Sequence, residues 1–431
     1  MSGWKAVWNG LNRAICFRGT QRVRAQDQSV QAVPPAMRFL LGTILINAIG
    51  FGIITPVMPE LVMELGDANL SQATAIGGSL SLIYAATQFI CGPLFGNLSD
   101  RFGRRPVLLG SLFGFSADFL VLAFAPTLGW LYLGRFLSGI FGASNAPAQS
   151  AIADLAPPEA RPRLFGYIGA AFGLGFVIGP VIGGLLGEWG HRMPFYAAAM
   201  LAFANFLYGV IVFPETMAAA NRRAFDWRRA NPVGSLLHVR RMPGILPIAV
   251  VYMLWQVAAL IYPMTWNFYT YGRFGWSAAM VGLSLAGVGL GMALVQTFVT
   301  GRLVQRLGEH QVAMLGMAIG TVCFAAYAVT PYGWIALLLI LPMTFQSLVH
   351  PTLTAMMSRR ATPETQGEVQ GFASSLMALG AIIAPTLFNP LLAYFTSPAA
   401  PFHFWGASFA VAAVISAIAL VILWRTKAAA R

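Results

Sequence analysis

The residues best placed to do chemistry lie between positions 96 and 135. Gly96-Asn97-Leu98-Ser99-Asp100-Arg101-Phe102-Gly103-Arg104-Arg105 packs one acid and three arginines between two hydrophobic runs. Asp118 then falls about twelve residues into the next run, roughly 18 Å deep at about 1.5 Å per residue. Arg135 lies about seven residues, roughly 10 Å, into the run after that. In a hydrocarbon core about 30 Å thick the two are at similar depth. An ionisable side chain so deep is costly and normally faces a bundle interior or a water-filled cavity with a partner. Asp118 and Arg135 are therefore read as a proton-coupling pair, in which loosening lets the acid take up a proton. The alternative is a static ion pair that only positions the two helices. His350 is the one histidine well inside a run, and histidine alone titrates unperturbed near neutral pH. Pro351 beside it equally suits a local role at a kink.

Other chemistries find no support. There is no Gly-x-x-x-x-Gly-Lys-Ser/Thr, His-Glu-x-x-His or Gly-x-Ser-x-Gly, so neither an ATP-driven pump nor a hydrolase is indicated. The three cysteines, Cys16, Cys91 and Cys323, form no disulfide or metal spacing. No enzyme activity, cofactor or metal is expected.

The elements that must carry these residues are membrane helices. Of 431 residues, 57% are hydrophobic and 10% charged, against about 25% charged in a soluble domain. The apolar runs are long and unbroken, as helices require and barrel strands do not. Twelve runs are predicted between residues 37 and 424, giving an all-α membrane protein of 12 transmembrane helices. Of the 27 Lys and Arg, only Arg192 and Arg273 fall on one set of alternate loops and only Arg135 within a run; the rest lie on the opposite side. The positive-inside rule puts that side, with both termini, in the cytoplasm. The net charge of +13 is thus a topology signal, and no nucleic acid partner is implied.

The chain divides into a basic tail 1–36, a six-helix bundle 37–213, a polar basic linker 214–244, a second bundle 245–424 and a tail 425–431. Trp4, Trp8, Leu11 and Ile15 have helical spacing, so the first tail could be an interfacial helix; a disordered tail, or an extension upstream of a start near Met37, is the other reading. The bundles echo each other 205 residues apart: Gly96 to Gly103 recurs as Gly301 to Gly308, Pro158-Glu159 as Pro363-Glu364, Gly166 as Gly371 and Pro180 as Pro385. Gln305 replaces Asp100 in the second copy. Two parallel repeats imply a solute site between them near the midplane.

Gly96-x-Leu98-x-Asp100-Arg101-x-Gly103-Arg104-Arg105 resembles the signature loop between helices two and three of the major facilitator superfamily. Arg135-x-x-x-Gly139-x-x-Gly142 looks like its fourth-helix motif, and Gly175-x-x-x-Gly179-Pro180-x-x-Gly183-Gly184 like the fifth-helix motif of its drug:proton antiporters. Over roughly 38–424 the chain is most similar to the tetracycline exporters. The resemblance implies that Asp100 contacts the start of helix eleven, near Gln366-Gly367-Glu368, as a conformational latch; solvated topology charges are the plainer reading. It also implies that the glycine ridge packs on a helix of the other bundle and limits leak, although small residues also serve generic close packing. The exporters carry membrane acids in helices one, three and nine. Here those positions hold Asn47, Asp118 and Gly320, which weighs against a tetracycline–metal substrate.

Asn47, Gln256, Gln346 and His350 are the expected cavity residues, in helices that usually line it in this superfamily; each could instead hydrogen-bond a neighbouring helix. The whole reads as a monomeric secondary transporter, multi-pass in the inner or plasma lipid bilayer, exporting a lipophilic small-molecule substrate in exchange for protons by alternating access. Uptake or facilitated transport of an endogenous solute, and a non-transporting receptor or scaffold, are the rival readings.

Overall fold

The computed structural model describes residues 35–155, 161–223, 225, 244–360 and 366–428. Every regular element there is a helix, as expected where backbone polar groups cannot turn to water and must be satisfied within their own segment. In chain order these are α1 (Pro35–Ile54), α2 (Met58–Gly66), α3 (Leu70–Phe102), α4 (Arg104–Ala123), α5 (Leu128–Gly142), α6 (Asn145–Leu155), α7 (Arg161–Gly187) and α8 (Met193–Val212). After residue 244 come α9 (Ile245–Ala259), α10 (Ile261–Phe274), α11 (Ala278–Leu294), α12 (Gly301–Leu307), α13 (Glu309–Val329), α14 (Gly333–Met343), α15 (Val349–Ser358), α16 (Gln366–Thr396) and α17 (Ala407–Ala428). The expected tail over residues 1–34, most of the expected linker (224 and 226–243), residues 429–431 and the Pro158-Glu159 and Pro363-Glu364 repeat lie outside the described residues.

Eleven stretches are long and apolar enough to cross a bilayer, one fewer than the sequence predicts. The difference falls on 128–153. There α5 and α6, of 15 and 11 residues, are parted at Ala143–Ser144, and neither alone reaches the about 20 residues a span needs. Other breaks stay within one stretch: a 3-10 turn Thr55–Val57 joins α1 to α2, a π segment Val295–Thr300 joins α11 to α12, and a 3-10 turn Thr344–Leu348 joins α14 to α15.

Local chemistry sets several boundaries. Asn69 and Gln72 form a reciprocal capping box at the start of α3, satisfying amides that the first helical turn leaves unpaired. The α3–α4 and α12–α13 corners turn on Gly103 and Gly308, with φ of 101° and 81° and ψ of 162° and 158°, a region glycine enters without a Cβ penalty. The 205-residue repeat is thus a repeat of backbone geometry. Pro180 lies inside α7 and its counterpart Pro385 inside α16.

Helices before residue 213 pack mainly among themselves, as do those after 244, and the two sets meet where α7 crosses α11 and α3 crosses α16. The hydrogen bonds between them lie at one end. Ser71 donates to the Ala393 carbonyl at 2.6 Å, Asn389 to the Thr74 carbonyl at 3.2 Å, and Asn267 to the Thr55 carbonyl at 2.8 Å. Toward the other end, Gly96, Gly169, Gly173, Gly301 and Gly371 face open space. Among the described residues, the hydrogen bonds that close the two sets on each other lie at the end holding the α1–α2 bend.

Candidate functional site

Asp118 and Arg135 are brought to one buried place by α4 and α5, with 1% and 8% of their surface exposed. Small residues make this approach possible: a Cβ on Gly134 of α5 would overlap the Leu122 side chain and lie 3.4 Å from Asp118 Oδ1 of α4, and one on Gly139 would lie 2.8 Å from the Tyr84 carbonyl of α3. No ion pair joins the two charges. Instead the Ser138 hydroxyl donates to Asp118 Oδ2. Asp118 Oδ1, Arg135 Nε and Arg135 Nη2 have no hydrogen-bond partner. The guanidinium sits over the Tyr84 ring, 5.8 Å from its centroid, where the electron-rich face attracts a cation. Gln88 holds that ring by donating to the Tyr84 hydroxyl at 3.1 Å and reaches the Gly142 carbonyl at 3.2 Å. A small cavity of about 10 Å³ touches Phe51, Tyr84, Arg135 and Ser138, near the size that holds one water. A buried carboxylate beside an unpaired guanidinium, with a hydroxyl between them in sequence and space, can bind and release a proton.

The Gly96–Arg105 turn is organised around Arg104, which is buried. Its Nη1 donates to Asp100 Oδ1 at 2.7 Å and Ser99 Oγ at 2.6 Å, and its Nε to Asp154 Oδ2 at 3.1 Å. Sequence reasoning missed both Asp154 and Glu215. The Glu215 carboxylate accepts from the backbone amides of Arg104 and Arg105 at 2.8 and 3.3 Å, an anion at the N-terminus of α4 where the helix dipole favours it. A Cβ at Gly103 would collide with that carboxylate, a second reason for glycine there. Arg105 donates to the Val210 carbonyl at 2.8 Å, and Arg101 lies against Phe102. The side chains of 366–368, the expected partner of Asp100, lie outside the described residues.

The glycine ridge of α7 serves two neighbours. Gly175, Gly179 and Gly183 face α1: a Cβ on Gly179 would lie 2.7 Å from the Ile49 carbonyl, and one on Gly183 would overlap the Ile53 carbonyl. Gly184 faces α11, where a Cβ would lie 2.5 Å from the Ala278 carbonyl. Pro180 packs on Gly52, and its carbonyl lies against Gly282. The ridge therefore reaches the second set of helices mainly through its last members.

The four expected cavity residues have different immediate partners. Asn47 donates to Ser144 Oγ and Asn145 Oδ1, both at 3.3 Å, bracing the α5–α6 break. Gln256 and Gln346 are buried, each with its Oε1 unpartnered. His350 stands edge-on to Tyr252 at 5.2 Å, with Nδ1 unpartnered. Beside Gly320, Trp255 fills the side-chain space: a Cβ there would lie 2.6 Å from the indole.

The family model of the Major Facilitator Superfamily matches residues 40–385 and 250–431. The Escherichia coli tetracycline resistance protein of class C is 39% identical over 358 residues, 83% of this chain and 90% of its own. The class B protein of Escherichia coli is 40% identical over 347 residues, 80% and 85% of the two chains. A bacterial homologue of the human lysosomal transporter Spinster, crystallised in an inward-facing and occupied conformation, superposes with a TM-score of 0.71 at 14% identity, covering 91% of this chain and 96% of that one; at that identity the likeness speaks to fold alone.

Proposed function

The chain belongs to the Major Facilitator Superfamily, and from that premise we propose a proton-coupled exporter of a lipophilic drug, the tetracycline-resistance relatives pointing to the solute class. It is a multi-pass protein of the inner membrane and no enzyme. We read the two sets of helices as six-span halves, 37–213 and 245–424, joined by the linker 214–244. The interrupted pair α5 and α6 makes the twelfth span, because an odd number would put the termini on opposite faces and the charge distribution asks for the same one. The Gly96–Arg105 end is then cytoplasmic, the hydrogen-bonded closure of the halves is on the outside, and the solute enters between them from the cytoplasm.

The observation that carries proton coupling is the solitude of Asp118. Of fourteen Asp and Glu, it alone lies in the middle of a span. A neutral Asp118 removes the charge opposing Arg135 and leaves the guanidinium to the Tyr84 face and the cavity. An ionised Asp118 draws on Ser138 and on Arg135. Rocking of the halves changes access to this place, so proton and solute take turns. The Asp100–Arg104 cluster serves the cytoplasmic closure, as Arg104 ties α3, α4 and α6 into one rigid corner.

The test is flux in proteoliposomes with and without a pH gradient. Export against a solute gradient that collapses with a protonophore supports the reading. Flux indifferent to pH, or an Asp118→Asn variant with undiminished proton-driven flux, overturns it.

A further inference from the structure

Glu188 follows the last residue of α7, one turn beyond Gly184. Its Oε1 accepts the backbone N–H of Ala279 at 3.1 Å, just past Ser277, the cap residue of α11. Both belong to the start of α11, in the other half. The contact is held in place by the close backbone approach of Gly184 and Gly187 to Ala278. The first amides of α11 have no partner within the helix, and the N-terminal end of a helix dipole favours an anion. The Ala279 amide, with the Ser277 hydroxyl near it, holds the Glu188 carboxyl below the usual glutamate range.

The internal repeat supplies a comparison. Adding the 205-residue offset to 188 gives Ala393, and the Ala393 carbonyl accepts the Ser71 hydroxyl where α16 meets α3. The same corner of the pseudo-symmetric closure is therefore neutral in one copy and charged in the other. The remaining bonds between halves, from Asn389 and Asn267, are made by neutral amides. Beyond Glu188 in the chain, His191 lies against Glu60 at 3.0 Å and Arg192 against Glu64 at 3.7 Å.

We propose that Glu188 is a positioning residue for transport, the charged clasp of the outer gate, which releases the α11 N-terminus each time the halves open to the outside. It acts by biasing the equilibrium between the two openings and touches neither proton nor solute. The inference rests on the alternating-access reading above.

The experiment measures the gate directly, by pulsed electron resonance between spin labels at Thr127→Cys and Ala399→Cys, exposed positions at the closed end of each half. Cys16, Cys91 and Cys323 are replaced by Ser, and the protein is reconstituted in liposomes. The parent is expected to show a close and a far population. Glu188→Ala should raise the far-to-close ratio about two- to fivefold, the range for an exposed charge at a helix terminus. Glu188→Gln keeps an acceptor oxygen and should fall between. An unchanged ratio in both variants, with two populations still resolved, overturns the clasp. A single population in the parent, with or without solute and at every pH, sinks alternating access itself and the clasp with it. If Glu188→Ala fails to insert, the near-isosteric Glu188→Gln decides alone: a raised ratio supports the clasp and an unmoved one overturns it.

Discussion

Glu309 Oε1 lies 2.8 Å from Arg359 Nη2, and this pair repeats Arg104 with Asp154 at 3.1 Å, 205 residues away with the charges exchanged. Each pair ties the start of one helix, α13 or α4, to the end of another, α15 or α6. The repeat has kept the bond and let the signs reverse, which is what a structural clamp permits and a charge-specific site does not.

The two clamps should differ in strength. Arg104 is 8% exposed at its side chain and Arg359 is 75% exposed. Breaking a buried, multiply bonded charge costs about 3–5 kcal/mol, whereas an exposed pair is worth about 0–1 kcal/mol. Arg359→Ala should therefore leave thermal stability in detergent almost unmoved, and Arg104→Ala should lower it sharply. The exchanged pair Glu309→Arg with Arg359→Glu should restore whatever either single change removes. Reversing Arg104 and Asp154 together should restore little, since Asp100 and Ser99 also bind Arg104. Equal losses for Arg104→Ala and Arg359→Ala would argue against this ranking.

Asp118→Asn should reduce export against a gradient at least tenfold while leaving solute exchange between equal concentrations intact, because only proton traffic is removed. Ser138→Ala is the more discriminating change. It keeps the acid and removes its hydroxyl donor, so the maximum rate should persist while the pH profile of transport moves. Flux measured across a pH series in both variants checks this, and a Ser138→Ala profile superimposable on the parent's would remove Ser138 from the coupling site.

The ridge on α7 offers a contrast within one helix. Gly183→Ala pushes a methyl into the Ile53 carbonyl, backbone against side chain with nothing able to swing away, and overpacking of this kind costs about 1–3 kcal/mol. Gly173→Ala meets open space and adds helix propensity. The first should lose folded protein on heating and the second should not, as a thermal melt of both in detergent would show.

What was legible in the sequence followed from what each signal depends on. Membrane helices, the repeat and the buried Asp118 depend on long apolar runs and on one charge within them, which the chain displays directly. Glu215 was not legible, because its role arises from a fold-back that brings it to the first amides of α4, and nothing local marks an acid after α8 as a helix cap. The break between α5 and α6 is marked locally only by the polar stretch from Ser144 to Ser150, with Pro147 in it, while Asn47, 97 positions before Ser144, braces it from another helix. The direct pairing of Asp118 with Arg135 was inferred from equal depth, yet depth fixes only one coordinate, and Ser138 occupies the nearer place on the same helix face as Arg135.

Gly320 carries the last prediction. Its missing side chain is replaced in space by the Trp255 indole, which also packs near Phe324 at 6.3 Å between ring centroids. An acid introduced here alone would be forced against the ring, so Gly320→Asp should destabilise the protein and reduce transport of every solute. Trimming the ring at the same time, as Gly320→Asp with Trp255→Ala, leaves room for the carboxylate and gives the second half a charge in mid-span that it otherwise lacks. That double variant should recover stability relative to Gly320→Asp and shift the drug panel toward cationic or metal-chelated solutes. Resistance profiles of cells carrying the three chains, set beside their melting temperatures, make the comparison; recovery of neither stability nor any drug would mean that Trp255 is needed for more than filling the space over Gly320.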